Sequence, residues 1–355
     1  MLVTASRGDM GRHRKHLVST LVLASALIAA VAPVVLPTQL EAQSQTAPTG
    51  IDHLRARAKA GDAVAQDDLG WLYENGKGVS QNYGLATMWY RKAADQGNAH
   101  AQFSLGIQYD NGNAVTQDHA QAATWYRKAA DQGYAAAQNN LGWAYEHGQG
   151  VSQDYSLAVV WFRKAAEQGL AEAQYSIGNA YYEGNGVQQN YAQAVQWYRK
   201  AAEQGDAEAQ YGLGNAYHDG NGVTQDDAQA FAWNRKAAEQ GLAEAEDNLG
   251  ALYNNGHGVA QDHAQAAAWW RKAADQGNAD AQGALGWAYE HGQGVPQSYA
   301  EAYFWLDLAA AHMQGKIEQT TVKFRDDVAA KLTPADLSNV QQRAAKWFAA
   351  HPPQP

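Results

Sequence analysis

The apolar residues of the chain recur with a spacing that predicts pairs of helices. In the first copy of the pattern, apolar residues from Ala65 to Tyr73 are separated by three or four positions. This spacing predicts a first helix, called helix A, over residues 62–75. A second run with the same spacing, from Ala86 to Ala94, predicts helix B.

The whole pattern repeats every 36 residues, which predicts a repeat architecture. One position of helix B is always tryptophan: Trp89, Trp125, Trp161, Trp197, Trp233, Trp269 and Trp305. The seven copies span 61–96, 97–132, 133–168, 169–204, 205–240, 241–276 and 277–312.

Turn and capping residues separate the helices of each copy. The glycines of Asn75-Gly76-Lys77-Gly78 permit positive φ between helix A and helix B. Gly97 is suited to end helix B in a left-handed conformation. Glycine inside helix A, first at Gly70, is costly unless a neighbouring helix approaches closely, and we expect the tryptophans to fill that space. Each helix B is predicted to begin after an N-capping residue: Asn82, Asp118, Asp154, Asn190, Asp226, Asp262 and Ser298.

The unit AxAQxxLGxxYxxGxGVxxDxxxAxxWxRKAAxQG resembles the Sel1-like repeat, a relative of the tetratricopeptide repeat. The resemblance covers residues 61–312. It implies an all-α fold, a right-handed α-solenoid of antiparallel helix pairs, in which the first helices line the concave surface. Members of this family are typically adaptors or regulators. Two departures stand out: Ala114 replaces a turn glycine, which allows that turn to differ, and the last repeat carries Asp307-Leu308 in place of Arg-Lys.

The segments that flank the repeats are expected to close the array. Residues 51–60 align with the second half of helix B and are interpreted as an N-terminal capping half-repeat. Residues 313–355 are interpreted as a C-terminal cap. Two helices are predicted there, over residues 316–332 and then from the Thr333 N-cap to Ala350.

The first 42 residues have the pattern of a secretory signal. A basic start precedes an uncharged apolar run over residues 17–36, and small residues lie near Ala42. Residues 43–50 are a polar linker. We therefore expect a periplasmic or secreted protein. The apolar run is also long enough to span a bilayer, so an uncleaved anchor in the inner membrane is the alternative, and only that form would contact a membrane.

Composition argues against several classes of function. The formal charge of −10 disfavours binding to nucleic acid, and the absence of cysteine excludes thiolate metal sites and cysteine nucleophiles. No catalytic or cofactor-binding signature is present, so neither an enzyme nor a cofactor is expected. His147, His291 and His257 are interpreted as polar surface residues rather than metal ligands.

Candidate binding residues lie on the face of helix A opposite its packing residues. The spacing of Asp67 and Trp71 places both on one stripe that is expected to be exposed. Aromatic and acidic groups together favour a protein or peptide partner that carries apolar and basic groups. A carbohydrate-binding protein and a hydrolase with an unrecognised carboxylate pair are the alternatives. The candidate residues are Trp71, Phe103, Ile107, Trp143, Tyr175, Tyr211, Trp287, Asp67, Glu172, Glu208, Glu244 and Asp247.

Overall fold

The computed structural model describes residues 50–312 and 315–351, and every regular element within these ranges is an α-helix. The expected signal, residues 1–42, lies outside the described residues. So does the expected linker, except for Gly50, which is the first residue of a helix. None of the helices in the described ranges has the length and apolar character needed to cross a membrane.

The chain divides into two compact units, and residues 50–154 form the described part of the first. Its helices are α1 (Gly50–Lys59), α2 (Ala63–Asn75), α3 (Tyr83–Asp95), α4 (Ala99–Asn111), α5 (His119–Asp131) and α6 (Ala135–His147). Each helix packs against the next one along the chain. Helix A of the first three repeats is α2, α4 and α6, which confirms the predicted helix pairs.

The second unit begins at Tyr155 and contains helix B of repeat three, repeats four to seven and the C-terminal tail. Its helices are α7 (Tyr155–Glu167), α8 (Ala171–Glu183), α9 (Tyr191–Glu203), α10 (Ala207–Asp219), α11 (Asp227–Glu239), α12 (Ala243–Asn255), α13 (His263–Asp275), α14 (Ala279–His291), α15 (Tyr299–His312), α16 (Gly315–Ala329) and α17 (Pro334–Ala350). Here too, neighbouring helices of the repeats pack in sequence, and both tail helices pack on α15.

The helix ends follow the predicted capping residues. The side chain of Asn82 accepts a hydrogen bond from the backbone N–H of Leu85 at the start of α3. Gly76 and Gly97, after α2 and α3, have φ of +64° and +91°. These positive values confirm the predicted left-handed ends. Side chains also cap the later B helices at Asp118, Asn190, Asp226, Asp262 and Ser298.

The glycine inside helix A allows close approach of an aromatic ring from helix B. A Cβ at Gly70 would lie 2.7 Å from the ring of Tyr90, closer than real side chains pack. The expectation that the repeated tryptophans fill this space was wrong, because the contact is made by the next residue of helix B, which is Tyr90 in the first repeat. In other repeats the same contact is made by Tyr126, Tyr198, Asn234, Trp270 and Leu306.

The repeated tryptophans are only partly a core feature. Four are buried as predicted: Trp89, Trp125, Trp161 and Trp305. Three are half-buried: Trp197, Trp233 and Trp269. The ammonium group of the lysine three residues later lies over each half-buried ring, at 3.6–4.1 Å from its centroid. A cation covers the side of the ring that the helices leave open.

A buried glutamine connects helix A of repeats one, two, four and five to the ends of two other helices. Gln66 Nε2 donates to the carbonyl of Ala58 at 3.0 Å, and Gln66 Oε1 accepts from Gln96 Nε2 at 2.7 Å. Repeat six has Glu246 in this position, and its carboxylate accepts from Gln276 Nε2 at 2.8 Å. The two bonds of Gln66, to a backbone carbonyl and from a second glutamine, recur at Gln102, Gln174 and Gln210.

Adjacent repeats are also joined by an arginine of helix B and a tyrosine of the next helix A. Arg163 donates to the Tyr181 hydroxyl at 2.7 Å, and Arg199 donates to the Tyr217 hydroxyl at 2.8 Å. Each of these bonds joins residues 18 positions apart. The polar links between repeats are therefore local in sequence.

The second glycine of each turn packs on the helix B of the preceding repeat. A Cβ at Gly258 would overlap the carbonyl oxygen of Asp227, the first residue of α11. Ala114 occupies the same turn position in repeat two and has φ of +58°. This turn therefore keeps the left-handed conformation, and an L-amino acid is held where glycine is favoured.

The tail covers the last repeat of the second unit. Val328 of α16 and Val340 of α17 are buried in one cluster with Leu308. Lys331 Nζ lies 2.7 Å from Glu290 Oε1. As predicted, Thr333 caps α17 by accepting from the N–H of Asp336.

Candidate functional site

The helix A face of the first unit carries an open cavity of about 670 Å³. Trp71 at this cavity is 42% exposed, which is high for so large an apolar side chain. The lining is Leu54, Asp67, Asp68, Trp71, Leu72 and His100. Apolar surface and carboxylates thus meet in one depression, and Trp71 is exposed there, as expected for its position on helix A.

Asp67 is buried rather than exposed, so its predicted place on an open stripe was wrong. It is 8% exposed, and its carboxylate Oδ2 lies 2.8 Å from Nδ1 of His100 in the next helix A. The hydrogen bond to Asp67 raises the pKa of His100, although burial opposes it. Partial burial, and then the charge of Asp67, raise the pKa of Asp68. A cationic group entering the cavity would favour the ionised form of Asp68.

Phe103 is also not available as an exposed anchor. It is 5% exposed, and its ring centroid lies 5.8 Å from that of Tyr126 and 5.1 Å from that of Tyr134. Phe103 occupies the same repeat position as Asp67, which faces the next helix A. Ile107, which shares the position of Trp71, is half-buried. The predicted stripe therefore includes an inter-repeat position, that of Asp67, and a more accessible position, that of Trp71.

Two further tryptophans at the Trp71 position are half-buried and stack on histidine. The Trp143 and His147 centroids are 4.3 Å apart at 27°, and those of Trp287 and His291 are 4.5 Å apart at 25°. The sequence interpretation of both histidines as simple polar residues missed this role. The repeated spacing of four residues within one helix was the available signal.

The second unit gathers acidic groups on its A helices. Burial, followed by the charges of Asp280 and Glu244, raises the pKa of Asp247 to about 7. Burial also raises the pKa of the neighbouring Tyr211 to about 12. Asp247 and Tyr211 are half-buried, whereas Glu244 is exposed. This group presents negative charge beside an aromatic ring.

The remaining candidates of the second unit differ in exposure. Glu172 is exposed by surface area, although partial desolvation of its carboxyl, followed by the charge of Asp206, raises its pKa. Glu208 is half-buried, and so is Tyr175, whose ring centroid is 5.8 Å from that of Tyr198. Among these, Glu172 is the most accessible to a partner.

A separate cluster of potential metal ligands was missed by sequence reasoning. His218 Nδ1 lies 3.0 Å from Asp227 Oδ1, and the rings of His218 and His257 stack with centroids 5.6 Å apart. One ligand atom from each residue lies within 4.8 Å of the other two. The three residues come from two successive repeats and are 9 to 39 positions apart, so no local motif marks them.

Comparisons with known proteins agree with this architecture. A family model described as Sel1 repeat matches residues 63–98, 99–134, 135–170, 171–206, 207–242, 243–278 and 279–312. The crystal structure of a Sel1 repeat protein from Oxalobacter formigenes is 38% identical with a TM-score of 0.62, covering 77% of this chain and 79% of that one. The comparison with curated proteins found no match.

Two other solved structures are also similar. A protective antigen present in uropathogenic Escherichia coli strains, displaying an SLR fold, is 30% identical with a TM-score of 0.48, covering 84% of this chain and 86% of that one. An immunity protein from Pseudomonas aeruginosa is 20% identical with a TM-score of 0.41, covering 60% of this chain and 81% of that one.

Proposed function

Since the chain belongs to the Sel1 repeat family, whose members are generally scaffolds for protein–protein interactions, we propose that it binds a protein or peptide segment through the exposed face of its A helices. The partner segment carries apolar and basic groups. We further propose that the chain is exported and acts in the periplasm or outside the cell.

The cavity beside Trp71 is the observation that carries the binding proposal. An exposed indole offers a large contact area for little loss of side-chain freedom. Leu54 and Leu72 extend the apolar surface, while the exposed Asp68 supplies negative charge. An apolar side chain next to lysine or arginine matches this lining in both shape and charge.

The acidic group around Asp247 supports the same partner chemistry in the second unit. The charges that act on Asp247, those of Asp280 and Glu244, are both negative. With a pKa of about 7, this carboxyl is protonated in part of the molecules at neutral pH. A bound cation would lower that pKa and release a proton. Calorimetry in buffers of different ionisation enthalpy would detect the release.

Paired peptide and glycan arrays test the binding proposal. We expect the chain to bind peptides that combine basic and aromatic or aliphatic residues, and not to bind acidic peptides. The Trp71→Ala variant should bind such peptides at least about 30-fold more weakly, which corresponds to the usual hot-spot threshold of about 2 kcal/mol. Its melting temperature should stay close to that of the wild type.

Met88→Ala is the matched control, because Met88 is an exposed apolar residue on helix B of the same repeat. The tryptophan of another helix B, Trp270, would be unsuitable as a control, since it is buried against Gly250. Equal peptide binding by wild type and Trp71→Ala would refute the proposed surface. Selective binding to glycans would instead favour the carbohydrate alternative.

The hydrolase alternative has one observation in its favour, namely the raised pKa of Asp247. A carboxyl with a pKa of about 7 is suited to acid–base chemistry. Burial and the surrounding negative charges explain the same pKa without catalysis, so we favour binding. Hydrolysis by the wild type that is lost in Asp247→Asn would reverse this preference.

Export rests on the basic start and the apolar run over residues 17–36. Mass spectrometry of the protein recovered from the periplasm or medium should find a new N-terminus between about residues 33 and 48. Recovery of the chain in the cytoplasm alone would contradict export. Recovery in the membrane with Leu17 retained would indicate the anchored form.

A further inference from the structure

We propose that His218, Asp227 and His257 form a binding site for a Zn²⁺ ion at the junction between repeats five and six. Two imidazoles and one carboxylate are a ligand set that zinc accepts in proteins. This inference is independent of the proposed partner binding, because none of the three residues belongs to the helix A face described above.

Close packing between the two repeats brings the three side chains together. His218 is near the end of α10, and Asp227 is the first residue of α11. His257 lies in the turn after α12, next to Gly258, which packs directly on the Asp227 backbone. The turn of repeat six therefore has to lie against the start of α11. This placement does not depend on the conformation of the histidine side chains.

The distances suit metal coordination with a small adjustment. His218 Nδ1 and Asp227 Oδ1 are 3.0 Å apart. Two ligand atoms that are each about 2.0–2.2 Å from zinc can be separated by this distance. The third ligand atom lies within 4.8 Å of the other two. His257 is exposed and can rotate towards the pair, whereas His218 and Asp227 are half-buried and better fixed.

The corresponding positions at other junctions explain why this one is distinctive. The junction of repeats four and five has Tyr182, Tyr191 and Asn221, and Asn221 Nδ2 donates to the Tyr182 hydroxyl at 3.2 Å. Side chains at these positions therefore meet at that junction too. At the junction of repeats two and three, the residues are Asp110, His119 and Gln149. His119 Nδ1 lies 2.6 Å from Asp110 Oδ1, but the third position lacks a metal ligand.

Zinc titration of the full chain, prepared without a histidine tag and treated with chelator, tests the site. We expect one saturable site per chain and a rise in melting temperature with Zn²⁺. His257→Gln and His218→Asn should each weaken zinc binding by at least roughly 10- to 100-fold. Loss of a residue that only supports a metal ligand already has an effect of this size, and these two residues are proposed as ligands themselves. Glutamine and asparagine occupy the same positions in the next repeat, at Gln293 and Asn254, so both variants should fold.

His263→Gln provides the control, because His263 pairs with Asn254 at a junction without a second histidine or carboxylate at these positions. Its zinc affinity should equal that of the wild type. Melting curves without metal should coincide for all variants that fold. Absence of saturable binding in the wild type would overturn the proposal. So would wild-type affinity in both His257→Gln and His218→Asn.

Discussion

Replacing Glu246 with glutamine should stabilise the protein. Glu246 is 4% exposed and occupies the position that is glutamine in the other six repeats. At that position, Gln210 donates to the carbonyl of Ala202 and accepts from Gln240. Ionised Glu246 can accept from Gln276 but has no hydrogen to donate to the corresponding carbonyl.

The expected gain follows from the restored hydrogen bond. A typical intramolecular hydrogen bond contributes about 0.5–1.5 kcal/mol to the free energy of unfolding. In a unit of about 200 residues, 1 kcal/mol raises the melting temperature by about 2–4 °C. Glu246→Gln should therefore melt a few degrees above the wild type, as measured by circular dichroism at neutral pH.

The gain should depend on pH. Burial raises the pKa of Glu246, although the hydrogen bond from Gln276 and the charge of Lys272 oppose it. A raised pKa in the folded state means that ionisation costs stability as the pH rises above the ordinary glutamate pKa. Glutamine does not ionise, so its advantage should be larger at about pH 7.5 than at about pH 4.

The reciprocal variant, Gln210→Glu, is the control and should lower the melting temperature at neutral pH. The reasoning would be refuted if Glu246→Gln were no more stable than the wild type at neutral pH. An equal gain at both pH values would refute the role assigned to ionisation but would leave the role of the restored hydrogen bond intact.

Four further substitutions, in three tests, address other features. Ala114→Gly should raise the free energy of unfolding by about 1 kcal/mol in urea titration, because it relieves a left-handed alanine; a loss of stability would show that the methyl group is needed. In α10, Gly214→Ala should lower the free energy of unfolding by about 1–3 kcal/mol, because its Cβ would overlap Asn234. Gly212→Ala should raise the free energy of unfolding by up to about 1 kcal/mol, because the atom nearest to its Cβ is 3.4 Å away. Equal effects of the two would contradict the close approach. Gln149→His should add a second zinc site beside Asp110 and His119, and an unchanged stoichiometry would show that these three positions do not meet closely enough.

The helix pairs and their caps were predictable because both are determined by residues close in sequence. Asn82 caps α3 by a bond to Leu85, only three residues away. The partner of Gly70 was predicted less well. Trp89 and Tyr90 follow one another in helix B, about 100° apart around its axis, and only the packing angle decides which ring meets the glycine.

The candidate site was predicted in part for a similar reason. Trp71 lies on an accessible position as expected, but Asp67 and Phe103 face the next helix A. Their burial depends on the distance and angle between successive repeats, which the periodicity of a single helix does not contain. The same holds for His218 and His257, which lie 39 positions apart and meet through the packing of a turn.

The local links between repeats have a consequence for biosynthesis. Arg199 bonds to a tyrosine 18 residues later, and Gln66 bonds to a glutamine 30 residues later. A chain that emerges from the ribosome N-terminus first can therefore complete each repeat soon after the following helix appears. Within the described ranges, folding of the repeats can keep pace with elongation, because these links join neighbouring repeats. A nascent chain with only its first repeats outside the ribosome already has the residues that line the Trp71 cavity.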